Sequence, residues 1–273
     1  MDILPMRVSR LIARFICDVK YAFSIIDRRA VTENLTCILP WEDKVNLPVR
    51  EVFRGFGQYL LEFFLVERML KENYIEKNVQ IQNLKYIEEA LARGKGGIIL
   101  TAHIGNWELG GALLGVLGYP LTVIALPHKE ESVNNFFNKK RAGKGLTVVP
   151  SNTAVRRCIS ALKKNTLIAL VADRDFSNKG EVLKVFGRQT VVPKGPAAFS
   201  VKTGAPIIPV FLIRKDNAKF QLIIEKPIFP EKKPQNQEST YMIEIMEKYI
   251  TIMEDKIRQY PGQWIMFRRF WVT

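Results

Sequence analysis

The stretch LTAHIGNWELGG, Leu100 to Gly111, holds one of two histidines in 273 residues and sets it five places before a glutamate. An imidazole titrates near neutral pH, so it can take a proton from a hydroxyl, provided a second group holds one ring nitrogen and leaves the other free. A carboxylate does that. On one continuous helix, positions five apart lie about 140° round from each other, so His103 and Glu108 would face different ways. They meet only if His103 stands on a loop before the helix. Asn106 is then the expected N-cap, and Glu108 falls in the first turn, where the helix dipole favours an anion. The chemistry is that of a carboxylate-supported general base acting on a hydroxyl, without an enzyme nucleophile. The plainer alternative is a capping glutamate beside a histidine buried for packing.

The elements that must position this pair can be read from the apolar patterns. A helical stretch runs from about Pro48 to Met69 and a second from Ile81 to Ala92. The turn Gly94-Lys-Gly-Gly97 then leads into GIILTAH; it lacks the lysine-serine or lysine-threonine ending of a phosphate loop. From there short apolar runs (GIILTA, PLTVIAL, LTVVP, LIALVAD, PIIPVFLI) alternate with helical patterns over Trp107–Leu117, through Phe136 and Arg141, over Ala154–Lys163 and around Pro196–Lys202. Arg174 to Pro193 reads as irregular, FQLIIEKPI as an antiparallel edge strand, and the apolar face from Met242 to Ile257 as a final helix. This alternation predicts an α/β fold, a mostly parallel central sheet flanked by helices. In such sheets ligands bind beyond the carboxyl ends of strands, where His103 is expected.

The chain carries 41 Lys and Arg against 27 Asp and Glu, a formal charge of +14, so an anionic partner is expected. Cys17, Cys37 and Cys158 are odd in number and widely spaced, which suggests neither a disulfide framework nor a zinc site and fits a reducing compartment. No apolar run approaches the roughly 18 residues of a membrane span. Nor does the N-terminus read as a secretory signal, because Arg7, Arg10, Arg14, Asp18 and Lys20 interrupt it. Leu4, Val8, Leu11, Phe15, Val19, Ala22 and Ile26 recur at helical spacing, so residues 1–30 are read as an amphipathic helix and 31–273 as one domain. That helix suits either an anionic membrane interface or packing on the domain.

The segment AHIGNWELGG resembles the H-x-x-x-x-D/E motif of glycerolipid acyltransferases, in the HxGNWE form of bacterial lipid A late acyltransferases and mycobacterial phosphatidylinositol mannoside acyltransferases. DRRAVTENLTCILP, ADRDFSNKGEVLKVFGRQTVVPKGPAAFSVKTGAPIIPV and PGQWIMFRRFW resemble the same family's early, central and closing segments in order, covering most of the chain from about residue 27. The resemblance implies O-acyl transfer from an acyl thioester, carried by acyl carrier protein or coenzyme A, to a hydroxyl of a glycolipid such as a lipid A precursor. A phosphatidylinositol mannoside or lysophospholipid acceptor is the alternative. It further implies His103 as general base and Glu108 as the group that orients it, with no metal and no cofactor beyond the donor. Many lipid A enzymes carry an N-terminal transmembrane helix; the arginine-interrupted N-terminus here points to peripheral attachment at the cytoplasmic face of the inner membrane, closer to the mannoside enzymes.

Further candidates surround that pair. Arg174 follows LIALVAD at another strand end, where a guanidinium could bind a phosphate or carbonyl oxygen; a solvent-exposed pair with Asp173 or Asp175 is the alternative. Arg141 matches a family arginine and is a candidate for a donor or acceptor phosphate, or else solvated surface. Glu181, in the GEV portion of the central block, is expected to support the pocket, and Lys194 precedes a helix start favourable to anions. Asn106 is grouped with these substrate-side residues. His128 is expected on a surface loop without a catalytic role. Two other classes are weighed: a basic nucleic-acid-binding protein, against which stands the lack of any recognition motif, and a lipid hydrolase, which lacks a G-x-S-x-G elbow.

Overall fold

The computed structural model describes residues 5–40, 46–125, 130–142, 144–150, 153–176, 179–215, 219–231 and 235–272. Five helices come first: α1 (Met6–Phe23), α2 (Ile25–Ile38), α3 (Val49–Phe64), α4 (Val66–Met69) and α5 (Glu72–Asn78). There follow β1 (Val79–Gln82), α6 (Lys85–Leu91), β2 (Gly97–Thr101), α7 (Trp107–Val116), β3 (Leu121–Ala125), α8 (Glu131–Ala142), β4 (Leu146–Pro150), α9 (Ala154–Lys163) and β5 (Leu167–Val171). The last third carries β6 (Glu181–Val185), β7 (Arg188–Val192), α10 (Gly195–Thr203), β8 (Ile207–Arg214), β9 (Phe220–Ile224) and α11 (Glu238–Gln259).

Seven strands form one sheet in the order β1-β9-β8-β2-β5-β3-β4. From β8 to β4 every neighbour is parallel, and the β9 ladder on β8 is antiparallel. The period of two along a strand divides the core. In β8, Ile207, Phe211 and Ile213 pack with α11 residues such as Ile245 and Tyr249, while Ile208, Val210 and Leu212 pack with α7 residues such as Leu109 and Leu113. Helices therefore cover both faces, as the βα alternation requires.

Three local expectations change. Ile81, read as the start of a helix, lies instead in the strand Val79–Gln82, and the helix begins at Lys85; this strand pairs parallel with β9, so FQLII is antiparallel as expected but has β1 outside it. Tertiary pairing overrides the helical spacing there. The stretch after Arg174 is not wholly irregular: β6 and β7 form a hairpin whose turn residues Phe186 and Gly187 both have positive φ (51° and 77°), the primed-turn geometry that matches strand twist. The Pro48 to Met69 helix breaks at Leu65 into α3 and α4.

The N-terminal stretch is two helices broken at Ser24, and residue 30 lies inside α2, which buries Ala30, Val31 and Leu35 in the core. Helix α1 sits on α3 along a seam where Cys17 meets Gly57 so closely that a Cβ there would fall 2.2 Å from the sulfur. Asp18 locks the seam by accepting from both Arg50 and Arg54. Of the apolar stripe read from sequence, Val8, Leu11, Phe15, Val19, Ala22 and Ile26 face outward, and Leu4 lies outside the described residues; Leu11 is 65% exposed, Phe15 70% and Ile26 82%, and Phe23, outside that stripe, is also 82% exposed.

Candidate active site

Strands β2 and β5 pair in register, with Thr101 opposite Val171. Two residues beyond each, the chain places His103 and Asp173 side by side. The imidazole Nδ1 lies 2.6 Å from Asp173 Oδ1, and the His103 amide donates to Asp173 Oδ2 at 3.0 Å. Trp264 Nε1 donates to the same Oδ2 at 3.0 Å, so the carboxylate is held from two sides. Asp173 has 1% of its side chain exposed and His103 15%: the anion is sealed behind and the ring reaches solvent.

Burial alone would raise the Asp173 carboxyl, but the His103 charge and hydrogen bond, then Arg174 and Trp264, outweigh it and hold it well below the carboxylate range. An ionised carboxylate accepts only, so Nδ1 carries a hydrogen, and in the neutral ring it is Nε2 that holds the lone pair. Trp107 closes edge-on against the ring at 4.8 Å and is itself stacked on Tyr59 at 4.3 Å.

The loop between β2 and α7 is clamped by backbone. The His103 carbonyl accepts from Ile265, Gly105 N donates to the Gln263 carbonyl, and Asn106 N donates to the Leu212 carbonyl. Gly105 has φ +63°, and a Cβ there would lie 2.0 Å from the Leu212 oxygen, so only glycine fits. Asn106 caps α7 as expected, its Oδ1 accepting from Leu109 N at 3.0 Å, while its Nδ2 donates to Glu62 at 2.7 Å. Glu62 in turn takes both arms of Arg214 at 2.7 Å.

The grouping of Asn106 with substrate-side residues is therefore corrected. It is 0% exposed with both ends of its amide engaged, and it serves by fixing the helix start.

The expected contact between Glu108 and His103 is also replaced. Both Glu108 oxygens are taken by Arg141, Nε at 3.0 Å and Nη2 at 2.5 Å, because the first turn of α7 aims this side chain toward α8 rather than back to the strand end. The two side chains are only 13% and 12% exposed, so Arg141 is not solvated surface. Burial pushes the nearby Tyr59 phenol up, and the Glu108 charge adds to it. Arg174 is not a solvent-exposed partner either: Nη2 donates to the Ile265 carbonyl, while the buried Nε has no hydrogen-bond partner among the described residues. Burial lowers this guanidinium, and the neighbouring Asp173 charge opposes that shift.

Glu181 and Lys194 pair with each other at 2.9 Å beside the β6–β7 hairpin. His128 lies outside the described residues. Among the described residues no three metal-ligating side chains cluster.

Asp173 is the functional candidate that motif reading missed. Its signal was present in the likeness of two strand endings, TAH and VAD, since paired parallel strands in register bring equivalent loop residues together.

The chain matches, over residues 1–273, the family model described as bacterial lipid A biosynthesis acyltransferase. The chain belongs to the bacterial lipid A biosynthesis acyltransferase family. It is 25% identical to the phosphatidylinositol mannoside acyltransferase of Mycolicibacterium smegmatis over 229 residues, 82% of this chain and 72% of that one. Against the protein of the same name from Mycobacterium tuberculosis (H37Rv) it is 32% identical over 160 residues, 57% of this chain and 51% of the other. It is 24% identical to the lipid A biosynthesis palmitoleoyltransferase of Escherichia coli K12 over 228 residues, 82% and 71% of the two chains. The family member is an acyltransferase, and its relatives place it with enzymes acting on glycolipids.

Proposed function

We propose that this acyltransferase moves a fatty acyl chain from a thioester of acyl carrier protein or coenzyme A to a hydroxyl of a glycolipid such as a lipid A precursor. The observation that carries the mechanism is the 2.6 Å contact of His103 Nδ1 with the buried Asp173. The free Nε2 takes the acceptor hydroxyl proton as that oxygen attacks the thioester carbonyl. The C–O bond forms, the C–S bond breaks, and the imidazolium returns the proton to the departing thiolate. Asp173 fixes the tautomer and offsets the imidazolium charge, as the carboxylate of a hydrolytic triad does, but here the nucleophile is the substrate itself.

The buried pair of Glu108 and Arg141 positions the adjoining wall through Tyr59 and Trp107, and Arg174, whose Nε–H has no partner among the described residues, suits a developing oxyanion or a donor phosphate. Glu181 and Lys194 are assigned to the pocket edge.

A phosphatidylinositol mannoside acceptor is the second reading, favoured by the 25% identity to the mannoside enzyme over 82% of the chain.

The exposed apolar residues of α1 and α2 support peripheral docking on the cytoplasmic face of the inner membrane. Among the described residues no helix is long and apolar enough to cross a bilayer, and Leu11, Phe15, Phe23 and Ile26 suit an interfacial helix. Anionic lipids, rather than nucleic acid, are then the partners of the basic surface.

The test is acyl transfer from labelled acyl carrier protein or acyl coenzyme A to a bacterial lipid extract, comparing wild type with His103→Ala. The product mass identifies the acceptor, and undiminished product from His103→Ala, with folding intact, would remove the histidine from the chemistry.

A further inference from the structure

A cavity of about 670 Å³ opens among α1, α3, the end of β8 and the closing segment near Gly262. None of His103, Asp173, Glu108 or Arg141 lines it. Arg10 and Arg14 come from α1, Arg54 from α3, and Arg214 and Lys215 from the end of β8. Against these five cations the walls hold two acids, Glu51 and Glu62, leaving an excess of three positive charges.

The pairing is uneven. Glu62 is taken up by both arms of Arg214 and by Asn106, and Arg54 shares Asp18 with Arg50. Among the described residues Arg10 and Lys215 have only neutral hydroxyl partners, on Tyr74 and Tyr260, and Arg14 is exposed. Cations gathered in a concavity with low-dielectric walls repel one another and concentrate the field for an anion. Guanidinium forks match the oxygens of a phosphate in particular.

We infer that this cavity binds the phosphate of an anionic phospholipid headgroup, at a site separate from the His103 pocket. Arg10 and Arg14 flank Leu11 on the helix whose exposed Leu11 and Phe15 face outward, so the surface suited to the bilayer also carries arginines of the cavity wall. The volume admits the headgroup alcohol as well as the phosphate. An occupant on Arg214 also touches the support of the catalytic loop, because Arg214 grips Glu62 and Glu62 holds the cap of α7. The lipid source rests on the docking of α1; the phosphate chemistry does not.

The test uses the full chain and two probes. Glycerol 1-phosphate binding is followed by phosphorus NMR, and flotation compares phosphatidylglycerol vesicles with phosphatidylcholine vesicles. Arg14→Gln with Lys215→Gln alters exposed side chains only. It should weaken glycerol phosphate binding by about tenfold, and abolish the preference for phosphatidylglycerol while leaving retention on phosphatidylcholine. Leu11→Ser with Phe15→Ser should lose both vesicles yet keep glycerol phosphate binding, which separates failure of docking from failure of the phosphate site. No saturable glycerol phosphate binding by the wild type, or binding that the double variant leaves unchanged, overturns the inference. Saturable binding without any vesicle preference overturns the lipid source and assigns the cavity to a soluble phosphate compound.

Discussion

Replacing Asp173 by Asn tests the proposed base through the geometry of three hydrogen bonds. Oδ2 accepts two of them, from the His103 amide and Trp264 Nε1, and Oδ1 accepts the third from the imidazole. A carboxamide has one oxygen. Two donors converge on the Oδ2 side, so the amide oxygen settles there and its NH2 faces the ring. Nδ1 must then accept, which moves the ring hydrogen to Nε2 and removes the lone pair that would take the acceptor proton.

Positioned general bases contribute about 10² to 10⁴ in rate, and a wrong-tautomer change in the serine-protease triad reaches about 10⁴. We therefore expect Asp173→Asn to lower kcat by about 10² to 10⁴, with the KM for the donor nearly unchanged and the melting temperature close to wild type, since both Oδ2 hydrogen bonds survive. The assay is steady-state acyl transfer across pH. A variant within about twofold of wild-type kcat, correctly folded, would refute the assignment of Asp173, because the step relies on the free Nε2 lone pair.

Gly105→Ala places a methyl 2.0 Å from the Leu212 oxygen at φ +63°, so calorimetry should show a loss of at least about 2 kcal/mol together with lost activity. The Asp18 carboxyl is held far below its usual range by hydrogen bonds from Arg54 and Arg50, and its side chain is 22% exposed. A depressed folded value adds stability that is present above the unfolded value of about 3.9 and is lost as pH falls through the folded one. The melting temperature should therefore drop below about pH 4 in wild type and fall less steeply in Asp18→Asn, which has already lost that carboxylate.

Much of the fold was legible because burial on both faces of a parallel sheet leaves uninterrupted apolar runs, and GIILTA, LIALVAD and PIIPVFLI all became strands. Asn106 was legible as a cap for the same local reason, that an asparagine before an apolar helical run satisfies a free amide. The strand Val79–Gln82 was not, because nothing in four residues announces a partner some 140 positions away in β9. Nor did spacing decide which acid meets the histidine. A motif places Glu108 near His103 along the chain, whereas strand register places Asp173 beside it from 70 residues downstream.

Residue pattern alone was enough for the family, the α/β alternation, the loop that sets His103 at a strand end and the basic, apolar-striped start. Only the tertiary structure decided that Asp173 holds the ring, that Arg141 claims Glu108, and that the α1 stripe faces outward over a seam closed by Cys17, Gly57 and Asp18. Local patterns record which side chains share a face, but hydrogen-bond partners are chosen by strand register and helix packing between segments far apart in the chain.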